Sequence, residues 1–340
     1  MFDLEKITRR NIKDLKAYAS ARDEFSGKEG IFLDANENPY GTLNRYPDPH
    51  QITLKKKLGE VKSVFPENIF IGNGSDEIID LAYRIFCEPG KSKALTFSPT
   101  YGMYDVSAAV NDIELIKLPL TPDFQIDFEE LEKFISDESL KLIFICSPNN
   151  PTGNIIYGIE KILQKFSGIV IVDEAYIDFS KSDSFYNQIK SYPNLIVSQT
   201  FSKAWGLAGA RVGVAYADAA IIQLFDKVKP PYNVSELNQA AALEALGNIP
   251  EFEERKEIIL KQRSFLKAEL HNIPVVKKIF PSDANFLLVE TSDAEMVYSE
   301  LVKQKVITRN RNNVVANCIR ITVGTPEENK ILVNTLRNIK

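Results

Sequence analysis

The stretch TFSKAWGLAGAR, residues 200–211, is the most informative part of the chain. Lys203 comes just after the β-type run Leu195–Ser198, and the small residues around it let its amine reach and bond to an aldehyde carbon. Arg211, eight positions later, can return to the same site and bind a phosphate. Because an aldehyde that carries a phosphate is pyridoxal 5'-phosphate (PLP), the stretch predicts a PLP-binding lysine with its phosphate contact.

Apolar runs elsewhere predict the fold that surrounds this lysine. Short, continuously apolar runs predict buried parallel strands at Lys93–Phe97, Leu142–Cys146, Ile169–Asp173 and Leu195–Ser198. A further strand is predicted at Arg211–Tyr216, and helical patterns such as Asp76–Phe86 and Ile159–Phe166 fill the gaps. This alternation predicts an α/β fold, with a large, doubly wound, mostly parallel sheet and helices on both of its faces.

The pattern changes near Asn248. A long charged helix is predicted over Pro250–Leu270, followed by strands at Ala284–Glu290 and Cys318–Val323. We therefore expect a large PLP-binding domain over residues 46–247 and a smaller α+β domain over residues 248–340. The N-terminal segment, residues 1–45, is expected to pack with the small domain or on a partner subunit.

Side chains that can do chemistry fall where the predicted strands end, which is where ligands gather in sheets of this kind. Asp173 ends a buried strand, and a carboxylate there is costly unless it meets a cation. The protonated ring nitrogen of PLP is such a cation, although a helix cap or a salt bridge is the alternative. Tyr176, three residues on, could hydrogen-bond the phenolic oxygen of the ring, or could be a core tyrosine.

Two turns at strand ends could complete such a site. The rigid turn SPNNPTG, residues 147–153, would aim the amide of Asn150 at the same ring oxygen. The turn GNGSDE, residues 72–77, precedes an amphipathic helix, whose free N–H groups and the Ser75 hydroxyl could bind one phosphate. A plain helix cap would have the same sequence. Tyr101 could stack on the pyridine ring, whereas Tyr104 is predicted to lie in the core.

Composition argues against several other classes of protein. The 340 residues are 44% hydrophobic and 26% charged, and a net charge of −5 gives no basic surface for nucleic acid. No apolar run approaches the roughly 20 residues of a membrane span, so no membrane is expected. Three scattered cysteines and two histidines predict neither a disulfide framework nor a metal site. Reduced cysteines suggest a cytoplasmic protein.

Taken together, Lys203, Arg211, Asp173, Tyr176 and Asn150 resemble the site of the fold-type I PLP-dependent aminotransferases. Within them, the chain resembles the histidinol-phosphate aminotransferases, a family of histidine biosynthesis. The segments that carry the resemblance span nearly the whole chain: Leu33–Gly41, Asn44–Pro47, Pro99–Tyr104, Cys146–Gly153, Asp173–Tyr176 and Ile319–Gly324.

The resemblance implies a role for each cofactor-binding residue. Lys203 bonds to the PLP aldehyde and moves a proton, and Asp173 pairs with the ring nitrogen. Asn150 and Tyr176 bind the ring oxygen, and Tyr101 stacks on the ring. The phosphate is held by a group at the helix start and after the lysine strand: Gly74, Ser75, Asp76 (through its backbone N–H), Thr200, Ser202 and Arg211.

The resemblance also implies a ping-pong reaction of L-histidinol phosphate with 2-oxoglutarate, giving imidazole acetol phosphate and L-glutamate. Arg320 and Arg309 bind the anionic end of the substrate, with Tyr18 and Asn36 nearby. One guanidinium can bind either a phosphate or a carboxylate, so Arg320 can serve both substrates. Tyr46 reaches across a homodimer interface into the neighbouring site.

Some alternatives stay open at this point. The sequence between Arg309 and Arg320 departs from the family pattern and offers Arg311 as a second candidate for the substrate phosphate, although Arg309 is favoured. An aromatic amino acid aminotransferase or a threonine-phosphate decarboxylase would use the same lysine, aspartate and arginines. A non-catalytic protein could keep the fold, and a dehydrogenase is disfavoured because no Gly-rich fingerprint follows a first strand.

Overall fold

Seven strands of mostly buried apolar residues form the larger sheet of the computed structural model, which describes residues 2–19 and 30–339. The strands are β1 Ile69–Asn73, β2 Lys93–Ser98, β3 Glu114–Pro119, β4 Leu140–Cys146, β5 Ile169–Asp173, β6 Leu195–Thr200 and β7 Val212–Ala217. Their order across the sheet is β1-β7-β6-β5-β4-β2-β3. Only β7 runs antiparallel to its neighbours, so the sheet is mostly parallel, as expected.

Helices cover both faces of this sheet because residues alternate between the two faces along each strand. One face packs against α3 Ile52–Lys62, α6 Phe128–Glu132, α7 Ile159–Lys165 and α9 Glu236–Gly247. The opposite face packs against α4 Ser75–Phe86, α5 Met103–Val110 and α8 Ala219–Val228. This arrangement confirms the predicted doubly wound fold.

A second sheet of four antiparallel strands lies in the C-terminal part. Its order is β10-β11-β9-β8, with β8 Val276–Ile279, β9 Phe286–Thr291, β10 Arg309–Asn310 and β11 Cys318–Thr322. Three helices, α10 Ile249–Leu270, α11 Ala294–Lys303 and α12 Pro326–Arg337, build a separate apolar core with it. Asp293 caps α11, and a capping box of Thr325 and Glu328 begins α12. This is the α+β architecture predicted for the smaller part, while the exact domain limits stay a prediction.

The packing of the whole N-terminal segment, residues 1–45, stays a prediction, but the place of its first two helices is clear. Two short helices, α1 Leu4–Ile7 and α2 Arg10–Lys13, bury Ile7 and Ile12 against the helical layer of the large sheet rather than on the small domain. Burial of these two isoleucines is the physical reason, and a hydrogen bond from the Arg9 N–H to the Ile85 carbonyl adds to it. Residues 1, 20–29 and 340 lie outside the described part of the chain.

Strand register brings the predicted chemistry to one edge of the large sheet. Cys146 at the end of β4 lies beside Asp173 at the end of β5, and Asp173 lies beside Ser198 of β6. Because these strands are parallel, the loops that follow them open on the same edge. Among the described helices, none is both long and apolar enough to cross a bilayer.

Candidate active site

A cavity of about 310 Å³ opens at this edge, between the large sheet and the small one. It brings together twelve of the predicted site residues: Ser75, Asp76, Tyr101, Asn150, Asp173, Tyr176, Thr200, Ser202, Lys203, Arg211, Arg309 and Arg320. Four further residues complete the lining: Cys146, Ala175, Ala208 and Arg311. Residues far apart in the sequence therefore share one space.

Lys203 lies in the loop after β6, partly buried, with its Nζ 5.6 Å from the centre of the Tyr176 ring. Burial lowers its pKa because the ammonium loses water, and the nearby charge of Arg320 lowers it further. A lower pKa increases the fraction of neutral amine at a given pH. Only the neutral amine can attack an aldehyde or accept a proton.

Asp173 is the buried acid of the site, with 3% of its surface exposed. Its Oδ2 accepts a hydrogen bond of 2.8 Å from the Tyr104 hydroxyl, and its Oδ1 accepts one of 3.1 Å from the Ala175 N–H. Burial raises its pKa, which these two donors oppose. Among the described basic groups, none lies within ion-pair distance of this carboxylate, although the more distant charge of Lys203 favours its ionised form.

The start of helix α4 forms an anion-binding corner. Gly74 caps the helix with φ of +77° and no side-chain cap, which leaves the first N–H groups open. A Cβ on Gly74 would lie 2.6 Å from Nη2 of Arg211, so only glycine lets the guanidinium come this close. Gly213 on β7 lets the strand approach the start of helix α4, because a Cβ there would lie 2.4 Å from the backbone N of Ser75.

Arg211 and its neighbours surround this corner with further donors. The guanidinium of Arg211 contacts the Ser202 hydroxyl at 3.3 Å and the Asp76 carboxylate at 3.3 Å. Thr200 holds Ser202 in place through hydrogen bonds of 3.0 and 3.1 Å. Tyr101 donates a hydrogen bond of 3.0 Å to the other oxygen of Asp76. Arg211 is thus already directed at an oxyanion position above the helix.

Three arginines form the wall that the small sheet contributes, here called the arginine wall: Arg309, Arg311 and Arg320. Arg309 and Arg320 are directly opposite each other on β10 and β11. The Nε atoms of Arg311 and Arg320 are buried without a hydrogen-bond partner. Burial and mutual repulsion lower the pKa of both, and no carboxylate of the described chain pairs with any of the three. The arginine wall therefore suits an anionic ligand.

Asn150 links the arginine wall to the large sheet. Its Oδ1 accepts a hydrogen bond from Nη1 of Arg320, and both Asn150 and Tyr176 are buried. The Tyr176 ring meets Phe286 edge-on at 5.1 Å, and Arg320 lies over the same phenylalanine at 5.2 Å. Strand β9 of the small sheet therefore positions both groups.

Four predicted residues do not line this cavity within one chain: Gly74 at the start of helix α4, and Tyr46, Tyr18 and Asn36. Tyr46 is half exposed and stacks on Tyr232 with ring centres 4.4 Å apart. Tyr18 is 73% exposed, and Asn36 is exposed with φ of +56°. Their predicted roles therefore stay predictions.

Sequence reasoning missed the part played by Tyr104, which it placed in the core. Tyr104 is buried as expected, yet its hydroxyl contacts Asp173. No local pattern reveals this contact, because Tyr101 precedes helix α5, which begins at Met103, and only Tyr104 lies within the helix. Cys146, Ala175 and Ala208 gave no signal either.

The cavity fits PLP at each chemically distinct part of that molecule. An amine with a lowered pKa suits the aldehyde, and a buried acid suits the cationic ring nitrogen. The open helix start with Arg211 suits a phosphate. The arginine wall, with two unpartnered Nε atoms, remains for an anionic substrate.

Comparison with known proteins agrees with this geometry. The family model described as aminotransferase class I and II matches residues 27–336. A histidinol-phosphate aminotransferase of Cytophaga hutchinsonii is 51% identical over 345 positions, covering 99% of this chain and 99% of that protein. Another, of Parabacteroides distasonis, is 49% identical and covers 100% of both chains.

Solved structures give the same result at the level of the fold. The histidinol-phosphate aminotransferase of Clostridium acetobutylicum has a TM-score of 0.80 at 26% identity, over 87% of this chain and 91% of that chain. The enzyme of Sinorhizobium meliloti, solved in complex with pyridoxal-5'-phosphate, has a TM-score of 0.79 at 26% identity, over 87% and 83%. The chain therefore belongs to the class I and II aminotransferases, as a member of the PLP-dependent histidinol-phosphate aminotransferase family.

Proposed function

We propose that this aminotransferase exchanges the amino group between L-histidinol phosphate and 2-oxoglutarate, giving imidazole acetol phosphate and L-glutamate. The single observation that carries the proposal is the arginine wall. Three guanidinium groups face one cavity without a carboxylate partner in the described chain, which suits substrates that carry a phosphate or a carboxylate.

PLP, when bound, supplies an aldehyde that bonds to amines and a ring that accepts an electron pair. Lys203 would hold the aldehyde carbon, Asp173 the ring nitrogen, and Asn150 with Tyr176 the ring oxygen. Tyr101 would lie against the ring face. The cofactor phosphate would be held by the start of helix α4 and by the residues around Arg211: Gly74, Ser75, the Asp76 N–H, Thr200, Ser202 and Arg211.

Lys203 also has the task of moving a proton at the substrate Cα. A general base must be neutral at the working pH, and burial lowers the pKa of this amine in that direction. The positive charge of the neighbouring Arg320 also lowers the pKa of Lys203. Lys203 therefore supplies both the cofactor attachment and the proton transfer.

Arg320 is the residue we assign to both substrates. Histidinol phosphate has no α-carboxylate, whereas glutamate has one, and a guanidinium fork binds either oxyanion. Asn150 orients Arg320 through the hydrogen bond to its Nη1. Arg309 and Arg311 would add charge for the dianionic phosphate, and the unpartnered Nε of Arg311 makes it a stronger candidate than the sequence suggested.

A homodimer is part of the proposal because Tyr46, Tyr18 and Asn36 do not line their own chain's cavity. The N-terminal segment before α3 exposes apolar side chains that water would disfavour, and a second copy would cover them. The most exposed are Ile31 at 91%, Leu33 at 89% and Tyr40 at 83%. Tyr46 would then contribute to the neighbouring site, with Tyr18 and Asn36 near the substrate.

We also propose that the enzyme works in the cytoplasm. Its three cysteines are buried and free, and biosynthetic relatives match its full length. A reducing compartment suits such a protein.

The test is a turnover assay with 2-oxoglutarate as acceptor and either histidinol phosphate or phenylalanine as donor. We expect a kcat/KM at least about tenfold higher for histidinol phosphate, since its phosphate makes charge-assisted bonds that phenylalanine lacks. A preference for phenylalanine would support the aromatic aminotransferase alternative. Release of carbon dioxide from threonine phosphate would support the decarboxylase.

A further inference from the structure

Tyr104 lies beside the cavity and contacts Asp173, the acid that would pair with the ring nitrogen of PLP. It is fully buried, and its hydroxyl donates a hydrogen bond of 2.8 Å to Oδ2 of Asp173. Tyr104 does not itself line the cavity. Its hydroxyl can therefore act on a bound cofactor through Asp173.

The surroundings of Tyr104 fix the position of its hydroxyl. Its ring stacks on Phe144 with centres 4.9 Å apart and meets the Tyr101 ring edge-on at 5.7 Å. Its backbone carbonyl accepts a hydrogen bond of 3.0 Å from the Tyr83 hydroxyl. The two ring contacts restrain this side chain, so it loses little further entropy when it orients a neighbour, whereas the Tyr83 hydroxyl reaches only the backbone.

The two carboxylate oxygens of Asp173 have one donor each, Tyr104 on Oδ2 and the Ala175 N–H on Oδ1. Both donors favour the ionised form, while burial and the charge of Asp76 oppose it. The titratable groups that face Asp173 come from several elements: Asp76 on α4, Tyr101 and Tyr104 at α5, Cys146 on β4, and Tyr176 and Lys203 in the loops. Among them, only Tyr104 donates a side-chain hydrogen bond to Asp173.

We propose that Tyr104 is a positioning residue, which keeps Asp173 ionised and oriented toward the ring nitrogen of PLP. The inference deepens the proposed function and rests on it for the presence of PLP in the cavity. Loss of the hydroxyl leaves Asp173 with one donor in a buried site. The carboxyl then takes up a proton at higher pH and pairs less well with a pyridinium.

The test measures cofactor binding rather than activity. Apoproteins are titrated with pyridoxamine 5'-phosphate, which has no aldehyde and so cannot bond to Lys203. Quenching of Trp205, the single tryptophan and two residues from Lys203, reports binding. For Tyr104→Phe we expect about tenfold weaker binding at neutral pH, the typical worth of a hydrogen bond to a charged group. The pH below which affinity falls should also move upward by about one unit.

Tyr83→Phe is the matched control. It removes a hydroxyl of the same kind from a fully buried tyrosine of the same core, and that hydroxyl contacts the Tyr104 carbonyl rather than Asp173. Both variants should lower the melting temperature of the apoprotein, but Tyr83→Phe should keep the wild-type pH curve. The ligand phosphate titrates near pH 6 in every sample, so it cancels in the comparison.

A double-mutant cycle with Asp173→Asn separates positioning from packing. In that background Tyr104→Phe should weaken binding by less than about twofold, because no carboxylate remains to orient. An equal loss in both backgrounds, or identical pH curves for Tyr104→Phe and Tyr83→Phe, would overturn the inference. A wild-type apoprotein that binds no pyridoxamine 5'-phosphate would instead overturn the proposed function.

Discussion

At the scale of single residues, burial opposes the charge of both Lys203 and Asp173. It lowers the pKa of the amine and raises that of the acid. A neutral amine can bond to an aldehyde, and a buried carboxylate is stabilised by a cation. A ligand that carries both an aldehyde and a cationic ring nitrogen therefore suits this pair. The burial of Asp173 was expected from the apolar strand that it ends, but its contact with Tyr104 was not, because that contact depends on how side chains pack around the strand ends.

The arginine wall allows a prediction that separates its members. Arg320→Ala should lower kcat/KM by about 10- to 100-fold in both half-reactions, because it removes a charge-assisted bond to either oxyanion. Arg309→Ala and Arg311→Ala should lower the histidinol phosphate half-reaction more than the glutamate half-reaction. Single-turnover kinetics with each donor measure this, and equal losses for all three variants in both halves would contradict the division.

At the scale of elements, the contact between β7 and the start of α4 builds the anion-binding corner. Gly74→Ala adds a Cβ at φ of +77° that lies 2.6 Å from the Arg211 guanidinium. We expect a stability loss of about 1–2 kcal/mol and weaker binding of PLP, since Arg211 must move away. Thermal unfolding and cofactor titration measure the two effects.

Gly90→Ala is the control for this variant. Gly90 has a similar φ of +65°, but its nearest new contact would be Asp112 at 3.3 Å, away from the cavity. It should lose comparable stability and keep wild-type cofactor affinity. If Gly74→Ala also kept wild-type affinity for PLP, the cofactor phosphate would not bind at the anion-binding corner.

The link between β5 and β6 contains a second buried acid, Glu174. It accepts hydrogen bonds from Ser184, the Phe185 N–H and Gln199, yet burial raises its pKa to about 7 from an ordinary 4.5. An acid with a raised pKa in the folded state stabilises the fold fully below pH 4.5, and this contribution is lost as the pH rises to about 7.

The pH dependence of stability tests this. The free energy of unfolding of wild type, relative to Glu174→Gln, should fall across that window by a few kcal/mol, of order 3. Denaturant unfolding of both proteins at several pH values measures how this free-energy difference changes with pH. A difference that did not change with pH would show that folding leaves the pKa of Glu174 unchanged.

Elements with a strong apolar pattern were predictable from the sequence. β5 was placed at its observed limits, and β4 and β6 were placed within two residues at each end. Strands β1 and β3 were not predicted: β1 has an apolar run of only three residues before Gly72, and three of the six residues of the edge strand β3 are exposed. The pairing of Arg309 with Arg320 depends on the register of β10 and β11, which no local pattern reveals.

At the scale of the whole molecule, the cavity lies between two sheets and omits Tyr46, Tyr18 and Asn36. Sequence motifs identified these residues, but a single chain does not bring them to the site. A second copy is the simplest way to complete it.

Subunit mixing tests this completion. Tyr46→Ala and Lys203→Ala should each be impaired alone. Random exchange should restore about a quarter of wild-type activity, because half of the dimers are hybrids with one intact site each. No recovery after exchange, or a fully active monomer in sedimentation, would contradict a shared site.

The attachment of PLP to Lys203 is the central claim, and borohydride reduction tests it most directly. Reduction of the protein with bound PLP fixes the cofactor on the amine that carries it, and peptide mass spectrometry locates that amine. We predict a pyridoxyl group on Lys203 alone and none in Lys203→Ala. A group on another lysine in wild type, or none at all, would contradict the account.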